Sequence, residues 1–168
     1  LSKEKGIFFL LDCFNNNKNI HNLNIIGDTS SFKNLNKYIS KNIKFHGVMD
    51  NNKVYDFMQK SKALILPSIC LEGLPMVVIE SLSQGLPVIM PDHDPLVEMF
   101  SGLNACYFYK SNNINDLLKA LNQCILDSNL YTKKSKNAIL AFKRHYSEKV
   151  NINNLIRIYN SIWIFIIP

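Results

Sequence analysis

Arginine and charge are scarce in this chain. Only 19% of the 168 residues are charged, and the basic side chains are 17 lysines against 2 arginines. The planar forks that read base edges are nearly missing, which counts against sequence-specific nucleic-acid binding. The cysteines, Cys13, Cys70, Cys106 and Cys124, are far apart and none forms a C-x-x-C pair. Neither a zinc site nor a dithiol redox motif is supported, and free thiols among apolar neighbours fit a reducing compartment. Glycine is also sparse, at 6 residues. No G-x-G-x-x-G follows any apolar run, which disfavours a nicotinamide-dinucleotide site of that type. The start, Leu1-Ser2-Lys3-Glu4-Lys5-Gly6, is charged and does not read as a secretory signal. The apolar run Ile162-Trp163-Ile164-Phe165-Ile166-Ile167 is far below the roughly 18 residues that span a bilayer. There is no internal repeat and no Pro/Ser-rich linker.

What remains is enough for one domain with a substantial core: 47% of the residues are hydrophobic. Polarity comes largely from 22 asparagines, without charge. The net charge of +6 admits an acidic ligand such as a phosphate, a nucleic acid or an anionic membrane surface. Because the chain starts on Leu1 and not Met, it is expected to be a piece of a longer protein.

The order of elements carries the fold prediction. Lys5–Phe14 has apolar residues at helical spacing. Leu23–Ile26, stopped by Gly27-Asp28, reads as a strand, and Ser31–Ser40 as a helix with a serine cap. Ile43–Gly47 alternates like a strand, and Asp50 can cap a helix carrying Val54, Phe57 and Met58. Ala63–Leu66 reads as a buried parallel strand ending at Pro67. Pro75–Gln84 is a helix with proline near its first position and Gly85 just beyond its end. Pro87–Met90 and Ala105–Tyr109 are strands. Asn115–Leu126, Tyr131–His145 and Glu148–Ile167 are helices. This alternation predicts an α/β domain, a doubly wound parallel sheet of five strands in a three-layer α/β/α arrangement. Such sheets bind ligands outside the carboxyl ends of their strands. The segments that matter therefore follow Ile26, Phe45, Leu66 and Met90.

The densest of these is Leu66-Pro67-Ser68-Ile69-Cys70-Leu71-Glu72-Gly73-Leu74-Pro75-Met76-Val77-Val78-Ile79-Glu80. A strand ends, a loop carries Glu-Gly-Leu-Pro, and a helix begins. Free backbone N–H groups at that helix start are an anion site aided by the helix dipole. Gly73 permits close approach to the backbone, and Pro75 fixes the helix entry. On one straight helix Glu72 and Glu80 would lie about 80° apart and about 12 Å along the axis. That is too far for a retaining glycosidase pair at about 5 Å. The Gly-Leu-Pro break leaves Glu72 on the loop and Glu80 one turn into the helix. A ligand with hydroxyls at both ends and phosphate between them, such as a nucleoside diphosphate sugar, suits that layout.

The segment resembles the E-x7-E motif of the retaining, GT-B-fold glycosyltransferases of family 4, the group 1 glycosyl transferases. Glu4-Lys5-Gly6 is similar to that family's R-x4-K-G start. Ile25-Ile26-Gly27-Asp28 resembles its ivG-x-G strand end, and Ile43-Lys44-Phe45-His46-Gly47 its v-x-F-x-G. Gly85-Leu86-Pro87-Val88-Ile89 resembles G-x-PVI, and Glu98 falls where the family has a glutamate. The resemblance spans residues 4 to 98 in order. Three positions depart from it. The basic residue ahead of Lys5 would precede Leu1, Thr29 replaces the second glycine after Gly27, and Asp94-Pro95 replaces a glycine pair.

The resemblance implies a Rossmann-like half of a GT-B fold. Residues 1–168 would form its C-terminal, nucleotide-sugar-binding domain, with an N-terminal acceptor domain outside this sequence. It implies that Glu72 contacts the transferred sugar near the reacting carbon and that Lys5 neutralises the diphosphate leaving group. The backbone of Gly73, Leu74, Pro75, Met76 and Val77 would bind sugar hydroxyls and phosphate, with Glu80 on the ribose. Gly27 and His46 would complete the nucleotide-sugar site. No cofactor and no metal is implied; the donor would be UDP- or GDP-linked. The whole enzyme would transfer the sugar with retention to a glycan or lipid-linked acceptor, as in polysaccharide, lipopolysaccharide or capsule biosynthesis. The expected partners are the nucleotide sugar and the acceptor half, not nucleic acid. The expected location is the cytoplasm, with peripheral contact to the cytoplasmic face of a membrane through the whole enzyme. Two alternatives stay open: a sugar-nucleotide epimerase of the same architecture, and a non-catalytic nucleotide-binding or regulatory module.

Other residues read more plainly. His46 and His93 suit either a cleft or the surface, while His21 and His145 suit the surface. Tyr107-Phe108-Tyr109 reads as strand core, not as a base-stacking platform. The 162–167 run calls for burial against the N-terminal half, against this domain, or at a membrane interface beside Lys133, Lys134, Lys136, Lys143 and Arg144.

Overall fold

The computed structural model describes residues 2–17, 21–33 and 35–166. After a short 3-10 turn at Lys3–Lys5, helix α1 runs over Ile7–Asn16 and strand β1 over Leu23–Ile25. Strand β2 (Ile43–Phe45), helix α2 (Asn51–Lys60), strand β3 (Leu64–Ile65) and helix α3 (Met76–Ser83) follow. Then come β4 (Val88–Pro91), α4 (Asp94–Phe100), β5 (Cys106–Tyr109), α5 (Ile114–Leu126) and α6 (Ser128–Ala141). A π-helical turn at Phe142–Tyr146 leads into α7 (Glu148–Ile166).

Every strand pairing between these elements is parallel, as the alternating pattern predicts. Each β–α–β passage therefore places its helix on a face of the sheet. The strands fall into two hydrogen-bonded blocks, β1–β2 and β3–β4–β5, where the sequence predicts one continuous five-stranded sheet. Leu23 stands opposite Ile43 in the first block, and Ile89 lies between Ile65 and Tyr107 in the second.

Side chains alternate across the second block and divide the core between its two faces. Ile89, Tyr107 and Tyr109 join Leu10, Leu11 and Phe14 of α1 and Leu117 and Leu121 of α5. Val88, Met90 and Cys106 join Val78 and Leu82 of α3, Leu96 and Phe100 of α4, and Ala138 of α6. Full burial of one such leucine or phenylalanine stabilises the fold by roughly 1.5–3 kcal/mol. Tyr107 and Tyr109 are thus strand core.

Local signals placed most elements within a residue or two. The Asp50 carboxylate accepts the Lys53 N–H at 3.0 Å and caps α2. Asn113 caps α5 by accepting the Asp116 N–H, and Asp127 caps α6 by accepting the Leu130 N–H. The Ser31–Ser40 helix does not form; that stretch holds turns and a short 3-10 segment at Leu35–Tyr38. Its side chains are committed to α1 instead: Phe32 meets Phe8 edge-on at 5.4 Å, and the Tyr38 hydroxyl donates to Asp12 at 2.9 Å. Helix α4, absent from the sequence prediction, starts on Asp94-Pro95 and buries Leu96 and Phe100 one turn apart. The run 162–167 continues α7 as far as Ile166, and what its side chains meet lies outside the described residues. Among the described residues no helix is long and apolar enough to cross a membrane.

Candidate functional site

The site is built where β3 ends. Leu66 is buried, the chain turns at Pro67, and Ser68 is 1% exposed. The Ile69 N–H donates to the Glu4 carbonyl at 2.9 Å, which fastens the chain's first turn onto this loop. Gly6 makes that contact possible: it has φ +70°, and a Cβ there would stand 1.8 Å from the Pro67 carbonyl oxygen. Only glycine fits so close to a backbone oxygen in the left-handed region.

This fastening brings together the two residues expected to act in catalysis, 67 positions apart in sequence. Lys5 Nζ donates to both carboxylate oxygens of Glu72, at 2.6 and 2.8 Å. The Ser68 hydroxyl donates to the same carboxylate. Burial pushes the Glu72 carboxyl up, but the bonds from Lys5 and Ser68, with the charges of Lys5 and His93, hold it below the usual glutamate value. The bond to Glu72 raises Lys5, against a smaller desolvation effect. The result is an ionised pair with a shielded acid and a lysine whose side chain stays 46% exposed.

A cavity of about 930 Å³ opens beside this pair. Of the predicted site residues, Lys5, Gly27, Glu72, Pro75, Met76 and Val77 line it. Pro75 precedes the first turn of α3, and no side chain caps that helix start. The amides of Met76 and Val77 are thus at an open helix N-terminus. Gly27 reaches φ 136° and donates its N–H to the Gly47 carbonyl at 2.8 Å, closing the ends of β1 and β2 together.

Four predicted site residues are not part of that lining. Gly73 and Leu74 are exposed on the loop, and a Cβ on Gly73 would meet nothing within 4 Å. Glu80 lies one turn beyond Met76 on α3, half-buried, with no side-chain partner among the described residues. His46 is held by Asn24 at 2.9 Å and leans on the Phe57 ring at 4.7 Å.

The sequence leaves Ser68 without a role and His93 open between cleft and surface. Ser68 carried a signal, since it directly follows the strand-ending proline. His93 lies within electrostatic reach of Glu72, its Nε2 bonded to the Ser111 hydroxyl at 2.9 Å and its Nδ1 buried without a partner among the described residues. It belongs to an Asp92-His93-Asp94 run in which Asp92 accepts the Ser111 N–H at 2.9 Å. Among the described residues no three His, Cys, Asp or Glu side chains converge as metal ligands.

Fold and site together define a Rossmann-like α/β domain of GT-B type, with its polar groups gathered at the carboxyl edge of parallel strands. The chain belongs to the glycosyl transferases group 1 family, whose model matches residues 1–141. A glycosyltransferase of Haemophilus influenzae is 29% identical over 133 residues, which cover 77% of this chain and 37% of that protein. Among solved structures, a glycosyltransferase from Rickettsia africae superimposes with a TM-score of 0.83 at 20% identity, over 96% of this chain and 45% of that one. Anabaena HepE, solved in complex with UDP-glucose, gives 0.82 at 20% identity, over 96% and 46%. The chain thus spans less than half the length of each of these relatives.

Proposed function

We propose that these residues are the donor-binding, C-terminal half of a retaining glycosyltransferase that uses a UDP- or GDP-linked sugar. The observation that carries this reading is the Lys5–Glu72–Ser68 cluster beside the uncapped start of α3. A pyrophosphate at that helix start meets free amides and a lysine bonded to Glu72. As the sugar–phosphate bond breaks, negative charge grows on the leaving diphosphate, and Lys5 stabilises it electrostatically. Glu72, ionised and pinned by Ser68, faces the transferred sugar near the reacting carbon. Gly73 and Leu74 offer backbone to sugar hydroxyls, and Glu80 offers an unpaired carboxylate to the ribose. Gly27 and His46 bound the nucleotide end. HepE, with its bound UDP-glucose, supports the choice of a uridine donor.

The acceptor half is the expected partner. Val48 and Leu71, 76% and 75% exposed, stand with Ile69, Leu74 and Met76 around the carboxyl edge as an apolar rim suited to a covering domain. The whole enzyme would glycosylate a glycan or lipid-linked acceptor at the cytoplasmic face of a membrane, with no metal or cofactor in the step. A solved relative described as involved in lipopolysaccharide biosynthesis has the same fold at a TM-score of 0.70 and supports that class of acceptor.

Calorimetry over UDP, GDP, ADP and their sugars tests the donor. A uridine or guanosine diphosphate sugar should bind, and Glu80→Ala should weaken it at least tenfold. Unchanged affinity in that variant would point to a non-catalytic module. With the complete enzyme, anomeric analysis of the product should show retention; interconversion of the nucleotide sugar without transfer would identify an epimerase. The 168 residues alone should transfer little, and full turnover on a defined acceptor would refute the two-domain reading.

A further inference from the structure

Arginine is the scarcest charged residue of the chain, and its two copies meet. Arg144 and Arg157 line one open groove of about 420 Å³, together with His145, Val150, Asn153 and Asn154. The groove shares no residue with the large cavity beside Lys5 and Glu72.

Local structure makes the groove. The π-helical turn Phe142–Tyr146 is held from within: Phe142 packs against the core cluster of Val78, Leu82 and Phe100, and the Tyr146 ring lies 6.4 Å from that of Phe100. Arg144 and His145, between these anchors, are exposed. Turns of this kind are rare and occur mostly at functional sites. Ser147 then leaves the helical region, at φ −65° and ψ 150°, and its carbonyl accepts the Asn151 N–H as α7 begins. The bend sets the first turns of α7 against the π-helical turn. Val150, Asn153, Asn154 and Arg157 fall at i, i+3, i+4 and i+7, so they share one face of α7.

The polar groups of the groove are unspent. Among the described residues, Arg144, His145, Asn153, Asn154 and Arg157 make no side-chain hydrogen bond or ion pair within the protein, and no carboxylate lines the groove. Lys143 and Lys149, both exposed, flank it in sequence and add to the positive field. Two guanidinium forks and an imidazole match a terminal phosphate, which carries two negative charges and three free oxygens. A phosphodiester offers one charge and two free oxygens. The apolar residues Ile152, Leu155, Ile156 and Tyr159 have the same helical spacing on roughly the opposite side of α7. Covering that stripe leaves the groove open.

We propose that this groove is a second anion site, apart from the donor site, that holds the terminal phosphate of a phosphomonoester between Arg144 and Arg157. His145 closes the phosphate end, and the carboxamides of Asn153 and Asn154 meet the organic part. The site stands on its own side chains and is independent of the donor reading.

Because the chain has two arginines, its arginine Nε–Hε magnetic resonance spectrum holds two cross-peaks. Methyl phosphate should shift both along one binding curve. Movement of one arginine alone, or equal shifts with dimethyl phosphate or with sodium chloride at matched ionic strength, would overturn the proposal. Arg144→Lys keeps the charge and loses the fork, and should weaken methyl phosphate at the Arg157 cross-peak by about tenfold or more. Unchanged affinity in that variant would also overturn it. Lys5→Ala, at the donor site, should leave both curves as they are; a loss there would mean that the phosphate binds at the start of α3 instead. Sedimentation with phosphatidic acid vesicles identifies the carrier of the phosphate. Pelleting that Arg144→Lys abolishes marks a lipid headgroup, and its absence while methyl phosphate binds marks a soluble molecule. Binding in neither arm would refute the site.

Discussion

At the scale of single residues, Lys5 and Glu72 make the sharpest electrostatic feature of the site. Glu72 titrates below its ordinary value, so its contribution to stability is present above about pH 4–5 and fades as pH falls through the lowered value. Lys5 titrates above its ordinary value, so its contribution is present below about pH 10 and fades as pH rises through the raised one. Solvent screens the exposed lysine, which limits the pair to less than about 1 kcal/mol. Thermal melts of Glu72→Gln should therefore lie slightly below wild type at pH 7, and the gap should narrow as the pH falls below about 4. A gap that does not narrow on acidification would mean that Glu72 stabilises by some other means. Two glycines make a second test. Gly6→Ala drives a methyl into the Pro67 carbonyl and should cost more than about 2 kcal/mol, read as a melting temperature lower by more than about 4 °C. Gly73→Ala meets nothing in the protein and should melt like wild type, while donor affinity falls. Equal melting losses in the two variants would contradict the geometry.

At the scale of elements, the caps are open to direct test. Asp50→Ala removes the bond to the Lys53 N–H and should cost about 1 kcal/mol, or about 2–4 °C in melting temperature. Unchanged melting would mean that water caps α2 equally well. These caps were also what made the sequence readable. Asp50, the Pro75 entry and Gly85 marked helix limits, and apolar runs such as Val88–Met90 marked buried strands. The failures share a physical cause. Ser31–Ser40 has helical spacing, but Asn34 and Asn36 are weak helix formers and Phe32 and Tyr38 bind α1. Helix α4 was hidden because Pro91 and Pro95 resemble loop punctuation; Asp94-Pro95 is in fact a start signal, with Leu96, Met99 and Phe100 behind it. Of the candidate site, the loop after β3 and the pair Lys5 and Glu72, which the structure brings together, were marked in the sequence. The Ser68 contact, the buried Nδ1 of His93 and the place of Glu80 outside the cavity lining depend on packing that no spacing rule encodes.

At the scale of the whole molecule, α7 stands apart. Residues 151–161 are exposed throughout, including Ile152, Leu155, Ile156, Ile158 and Tyr159. A polypeptide ending after Tyr146 should keep its melting temperature within about 2 °C, since residues 151–161 bury no side chain in the domain. Light scattering should also show less self-association than the 168-residue polypeptide, because an exposed apolar helix is an association surface. A large drop in melting temperature would mean that α7 packs on the domain in solution.

The core that holds α1 has a consequence for how the chain is made. Leu11 packs in one cluster with Leu117 and Leu121, so the first helix leaves the ribosome long before its partners exist. Until α5 emerges, Leu10, Leu11 and Phe14 of α1 have only the strand side of their cluster, residues such as Ile25, Ile43, Ile89 and Tyr107, to pack against. Folding must then wait for nearly the whole of the matched region, the late closure that slows folding of topologies built on distant contacts and invites chaperone attention to nascent chains.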